Sequence, residues 1–264
     1  MVTTGAGALL RAAHAGPALA VTVLTALLAV SASLGSARGA LVTAAVLAGQ
    51  LSVGWSNDLR DRSRDAAVGR ADKPLATGEL SVALVQRACA FAVVATVVLS
   101  LACGVLPGLV HLFCVASAWT YNLWLKATAA SWLPYAVSFG GLPVFVHLAG
   151  GGAPPAEVVA GGALLGVGAH LLNVVPDLAD DEATGVRGLP HRLGARRSTL
   201  LAVVLLVAAT AALLVTGTVG LAGTAVGALV VAGLAGLALV GRGRAPFYSA
   251  VGIALTDVVL LVAR

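Results

Sequence analysis

Apolar runs of roughly twenty residues recur from one end of this chain to the other, each long enough to cross about 30 Å of hydrocarbon. The run LVTAAVLAGQLSVGW and the glycine-studded AGGALLGVGA are typical. Such runs are continuous rather than alternating, which excludes a lipid-exposed open sheet, because its edge would leave backbone groups unpaired. Composition agrees: 59% of the 264 residues are hydrophobic, only 10% are charged, and mean hydropathy is +0.99, where a soluble domain carries about a quarter charged residues. The expected fold is an all-α integral membrane protein, one transmembrane domain over residues 1–264, bundled around a central cavity with loops capping the site.

Glycine, proline and charge punctuate the runs into nine expected helices, near 16–35, 39–57, 81–103, 107–125, 130–149, 156–178, 198–217, 219–241 and 245–263. The first follows Arg11 and Pro17 like a signal peptide, but it is longer than a signal core and lacks a cleavage site, so it is read as a span. Nine spans put the termini on opposite sides. With the N-terminus inside, only Arg38 and Arg264 of the 16 Lys and Arg residues fall outside, the asymmetry expected of a cytoplasmic face. The basic excess is thus explained by orientation and anionic ligands, not nucleic acid. Cys89, Cys103 and Cys114 stand singly in apolar runs, without metal-ligand spacing, and read as small buried residues.

The acids are gathered in two places on that same face. NDLRDRSRDAAVG and NVVPDLADDEATG both follow N-x-x-x-D-x-x-x-D-x-x-x-G, as Asn57, Asp61, Asp65, Gly69 and Asn173, Asp177, Asp181, Gly185. The match continues through Pro74 and Pro190 to Gly78 and Gly194, which indicates an internal repeat. Residues at i, i+4 and i+8 share one helix face, so each segment should present a polar stripe. Stacked carboxylates repel and require cations between them; Mg²⁺ suits oxygen ligands and uses one or two carboxylates plus substrate phosphates. Ionisable groups at a membrane are costly and mark function by default. Asp58, Asp180 and Glu182 lie off the stripes.

Basic residues supply the complementary half of a diphosphate site: Arg70 and Lys73 after the first stripe, and Arg187, His191 and Arg192 after the second. Arg196 and Arg197 read as membrane anchors. Lys126 in WTYNLWLK, five residues after Tyr121, is a further candidate. Asp257, within the last apolar run, either lines the cavity or pairs with a buried partner. His170, one turn before Asn173, can face the same cavity or serve as a structural histidine.

These motifs together resemble the UbiA-type intramembrane prenyltransferase family. The first stripe resembles its N-D-x-x-D-x-x-x-D signature, the second its D-x-x-x-D motif, ADKPLATGELS the R-P-[IL]-x-[ST]-G run, and TYNLWLK its Y-x-x-x-x-K element, spread across essentially the whole chain. The resemblance implies two Mg²⁺ held by Asn57, Asp61, Asp65, Asp177 and Asp181 on a prenyl diphosphate. It further implies Lys73 and Lys126 on the diphosphate and Tyr121 near the allylic carbon, with Asn173 matching naphthoate-type members. Lys73 departs from the family's arginine, which keeps charge but loses bidentate geometry. The implied activity is transfer of the prenyl group to an acceptor, aromatic in the favoured reading. A membrane terpene cyclase without acceptor and, more remotely, an ion-coupled transporter are the rival readings.

Overall fold

The computed structural model describes residues 5–216 and 219–264, and all regular structure among them is helical. The helices are α1 (Gly5–Ala12), α2 (Ala15–Ser31), α3 (Ser36–Ala67), α4 (Val82–Ala102), α5 (Val105–Leu123), α6 (Leu133–Ala149), α7 (Ala156–Val174), α8 (Leu178–Ala183), α9 (Leu189–Leu193), α10 (Ala195–Thr216), α11 (Leu221–Val240) and α12 (Ala245–Val262). Three-residue 3₁₀ turns, Leu125–Ala127 and Val175–Asp177, follow α5 and α7.

Each of the nine expected stretches coincides with one of the longer helices among the described residues. Six are long and apolar enough to cross a membrane on that ground alone, or seven if the bent pair α1–α2, angled at 71°, is one span. Helix α6, with Pro143 in its interior, is apolar but shorter, at 17 residues. The multi-pass reading therefore holds, while the number nine describes helices and not proven crossings.

The outer faces carry the apolar surface a bilayer requires. On α4, Phe91, Val94 and Val98 are 75%, 62% and 60% exposed, and α11 shows Leu229 at 73%. In water this would be an aggregation surface; in lipid it is the solvent-facing side. Inward faces use small residues for close packing. Gly162 and Gly166 let α7 lie on the backbone of α6, where an added Cβ at either would stand 2.5 Å from a carbonyl oxygen.

The tightest such contact shapes the site. A Cβ on Gly54 of α3 would lie 2.1 Å from the Ala13 carbonyl oxygen, at the α1–α2 elbow where His14 adopts a left-handed φ of 54°. Gly54→Ala should therefore lower stability by about 2 kcal/mol through overpacking, read as a fall in unfolding temperature in detergent. Gly233→Ala, whose Cβ meets nothing within 4 Å, should leave that temperature unchanged or slightly raised.

The repeat in sequence is also a repeat in conformation. Both stripe-bearing segments end in a left-handed glycine, Gly69 at φ 70° and Gly185 at φ 80°. Beyond each, the next amide donates back to the last stripe aspartate, Arg70 N to Asp65 O at 2.9 Å and Val186 N to Asp181 O at 2.8 Å. This is the six-to-one bond of a Schellman helix end. The two chain ends thus turn away from the stripes in the same manner.

Candidate active site

One cavity of about 320 Å³ opens among α2, α3, α5, α6, α7 and α12. Asn57, Asp61, Asp65, Arg70, Lys73, Tyr121, Lys126, Asn173, Asp177 and Asp181 all line it. Away from these the walls turn apolar, through Leu24, Val46, Leu142 and Phe145. Val46 precedes Asn57 by eleven residues on continuous α3, so the apolar part reaches about 16 Å from the polar end at 1.5 Å per residue.

The first stripe forms as its spacing predicts, since α3 runs unbroken to Ala67, well past the expected end at 57. Asn57 Nδ2 donates to Asp61 Oδ2 at 3.1 Å and Lys126 Nζ to the same oxygen at 2.6 Å. Arg64 reaches back one turn to Asp61 Oδ1, the i,i+3 pairing that helix geometry favours over adjacent residues. Two cations on one carboxylate leave this corner positive.

The second stripe lies on a helical stretch that continues over Ala156–Ala183 but tightens within it. Pro176, lacking an amide donor and clashing with the preceding turn, sits in a 3₁₀ turn that links α7 to α8. Asn173, Asp177 and Asp181 nevertheless all face the cavity.

Arg70 joins the two halves. Its guanidinium donates to Asp72 at 2.8 and 3.0 Å and to Asp177 at 3.3 Å. The same hydrogen bonding holds the Asp72 carboxyl down to about 2. A depressed carboxylate contributes stability above its ordinary range and loses it only as pH falls toward that value, so the pair stays ionised through the neutral range.

Lys73 sits at the cavity wall with its ammonium engaged: Nζ donates to Asp58 Oδ1 at 2.9 Å and lies 2.8 Å from His14 Nε2. Asp58, off the stripe, is 1% exposed and its Oδ2 finds no partner. Arg192 does not join the others; it is exposed on α9 and outside the cavity lining. Neighbouring His191 stands 3.6 Å from Asp181.

Sequence reasoning passed over several residues that the fold brings in. Asn122 is 3% exposed and donates to Val53 O at 2.9 Å and Ser56 Oγ at 2.8 Å, while its Oδ1 accepts from Asn57 at 3.2 Å. It fixes the amide that heads the first stripe; an amide in an apolar run beside Tyr121 was the available signal. His14 and Arg244 also line the cavity. Tyr121 packs edge-on against Tyr135 and His170, with centroids 5.2 and 5.6 Å apart. His170 lies behind them, outside the lining, its Nε2 3.0 Å from Ser131 Oγ. Asp257 is not in the cavity either: it accepts from Thr210 Oγ1 at 2.8 Å between α10 and α12.

Two acid stripes, from separate parts of one chain, thus meet cations at the mouth of an apolar membrane chamber. That combination defines a helical membrane protein in which one cavity joins a charged end to an apolar end. The model of the UbiA prenyltransferase family matches residues 3–246, and the chain belongs to that family. No curated protein is similar enough to count as a match. Among solved structures, the chain resembles an apo UbiA homologue from Aeropyrum pernix K1 at 20% identity and a TM-score of 0.77, covering 91% of this chain and 96% of that one. A UbiA homologue from Archaeoglobus fulgidus bound to GPP and Mg²⁺ shares 14% identity, TM-score 0.74, over 96% and 98% of the two chains. A digeranylgeranylglyceryl phosphate synthase follows at 15% and 0.64, over 97% and 98%.

Proposed function

We propose that this protein transfers a prenyl group from a prenyl diphosphate to an acceptor within the membrane, in a Mg²⁺-dependent reaction, with an aromatic quinone- or secondary-metabolite-type precursor as the favoured acceptor. The observation that carries the reading is the make-up of the main cavity: four stripe aspartates and four cations, Arg70, Lys73, Lys126 and Arg244, line the same space as an apolar chamber. A diphosphate with a long hydrocarbon tail fits such a division of polarity. The A. fulgidus homologues bound to GPP or DMAPP with Mg²⁺ support it by likeness of fold.

The donor set suits the metal. Among the described residues no three His, Cys, Asp or Glu side chains gather tightly enough to hold an ion alone, and Mg²⁺ does not need that, since it binds through one or two carboxylates and the substrate's phosphates. Asn57, Asp61, Asp65, Asp177 and Asp181 would hold two Mg²⁺. When bound, the ions would neutralise charge building on the departing diphosphate.

The chain's own groups do the rest. Lys126 and Arg70, now shared with Asp61 and Asp177, turn toward diphosphate oxygens and stabilise the leaving charge. Tyr121 presents its ring to the allylic cation, aided by the edge-on packing of Tyr135 and His170. Apolar walls hold the tail and exclude water that would capture the cation. Orientation belongs to the same proposal: the N-terminus and both acid segments face the cytoplasm, where the basic residues concentrate.

Purified protein in detergent, supplied with radiolabelled geranyl, farnesyl and geranylgeranyl diphosphates, with and without Mg²⁺ and a panel of aromatic acceptors, tests the reading. Mg²⁺-dependent coupling to an acceptor is the expected result. A cyclic hydrocarbon formed without acceptor would replace the transferase by a cyclase. No consumption of any donor by folded protein would overturn both.

A further inference from the structure

A second cavity, of about 330 Å³, shares Lys126 with the main one and is lined by residues from the end of α3, the end of α5 and the turn after α8. Its lining includes Arg60, Ser63, Arg64, Trp124, Lys126 and Thr184 and contains no carboxylate. The main cavity balances four acids against its cations; this one presents three cations whose sole ion-pair partner among the described residues is Asp61, shared by Arg64 and Lys126 from outside the lining. No carboxylate among the described residues pairs with Arg60. Clustered guanidinium and ammonium groups in a concave site, with the Ser63 hydroxyl as a further donor, match the several oxygens of a phosphate.

From this geometry we infer a phosphate-binding site in the second cavity, coupled to the first through Lys126. Two sources carry that chemistry, the headgroup of an anionic lipid and free diphosphate. Trp124 is 59% exposed beside the cavity, and an exposed indole with basic residues at a span end is the arrangement that meets lipid headgroups. Occupancy would draw Lys126 from Asp61, so a phosphate here would compete with the pairing that closes the first stripe. The site is argued from its lining and stands apart from the prenyl-transfer reading.

Two binding measurements on the full chain separate the sources without recourse to turnover. Native mass spectrometry of protein extracted from phosphatidylglycerol-containing nanodiscs reads headgroup binding. Equilibrium binding of radiolabelled inorganic diphosphate in EDTA reads the free anion, and variants at Arg60 and Ser63, which line the second cavity and not the main one, separate the two sites. Arg60→Gln, a change at an exposed side chain, should weaken whichever ligand binds by about tenfold, as loss of a charge-assisted contact does. Ser63→Asp, which places a carboxylate in the lining, should weaken it as well. Retention of phosphatidylglycerol lost in both variants assigns the site to lipid, and diphosphate binding lost in both assigns it to the free anion. Binding of both ligands unchanged in the variants, or binding of neither by the wild type, overturns the inference whatever the assay of prenyl transfer returns.

Discussion

Asp61→Ala should reduce Mg²⁺-dependent consumption of every prenyl diphosphate by about a thousandfold or more. Asp61 is the most heavily engaged stripe residue, receiving Asn57, Arg64 and Lys126 at once. Removing it takes away a proposed metal ligand and leaves two cations facing each other without the carboxylate between them. Loss of metal-borne stabilisation is worth several kcal/mol, and each 1.4 kcal/mol is tenfold in rate. Asp177→Ala should act similarly from the other stripe, where it also removes the longer of Arg70's carboxylate contacts. Asp72→Ala is the matched control: it removes a carboxylate from the same arginine, but one outside the cavity lining, and should cost far less. Release of labelled diphosphate at saturating Mg²⁺ measures all three. Near-wild-type turnover in Asp61→Ala would remove that residue from the metal site.

The helical runs were legible because membrane helices announce themselves by composition: each expected run falls on one of the longer described helices, though α3 extends to Ala67 and six or seven of the helices qualify as spans by length and apolarity. The first stripe was legible too, since i,i+4 spacing maps directly onto a helix face. The second was half legible. Its spacing matched one helical stretch, while the 3₁₀ turn at Pro176 went unread; Asn173, Asp177 and Asp181 all reach the cavity across that turn. What stayed hidden were partners distant in sequence. Asn122 meets Asn57 across 65 residues, and no local pattern encodes that meeting. Arg192 misled for the complementary reason: its position after the second stripe is equivalent to that of useful cations, yet α9 turns it outward.

The clearest case of a hidden partner is Lys73, and its variants should show large losses of stability. Lys73→Met should destabilise the protein by about 3 kcal/mol, because Asp58, 1% exposed, would lose its cation and remain as an uncompensated buried carboxylate with Oδ2 already unpaired. Asp58→Asn should cost less, since the amide needs no counter-charge and Lys73 keeps His14 nearby. The pair Lys73→Met with Asp58→Leu should recover most of the lost stability, as buried ion pairs replaced whole by apolar groups commonly do. That recovery separates two roles for Lys73. If its ammonium serves only Asp58, the double variant regains the wild-type KM for prenyl diphosphate along with its unfolding temperature. If the ammonium also contacts the diphosphate, as expected of the residue before Pro74, stability returns while KM stays raised. The second outcome is the one expected here, because Lys73 lines the cavity beside Arg70 while it holds Asp58, and a lysine ammonium has three rotatable donors with which to serve both.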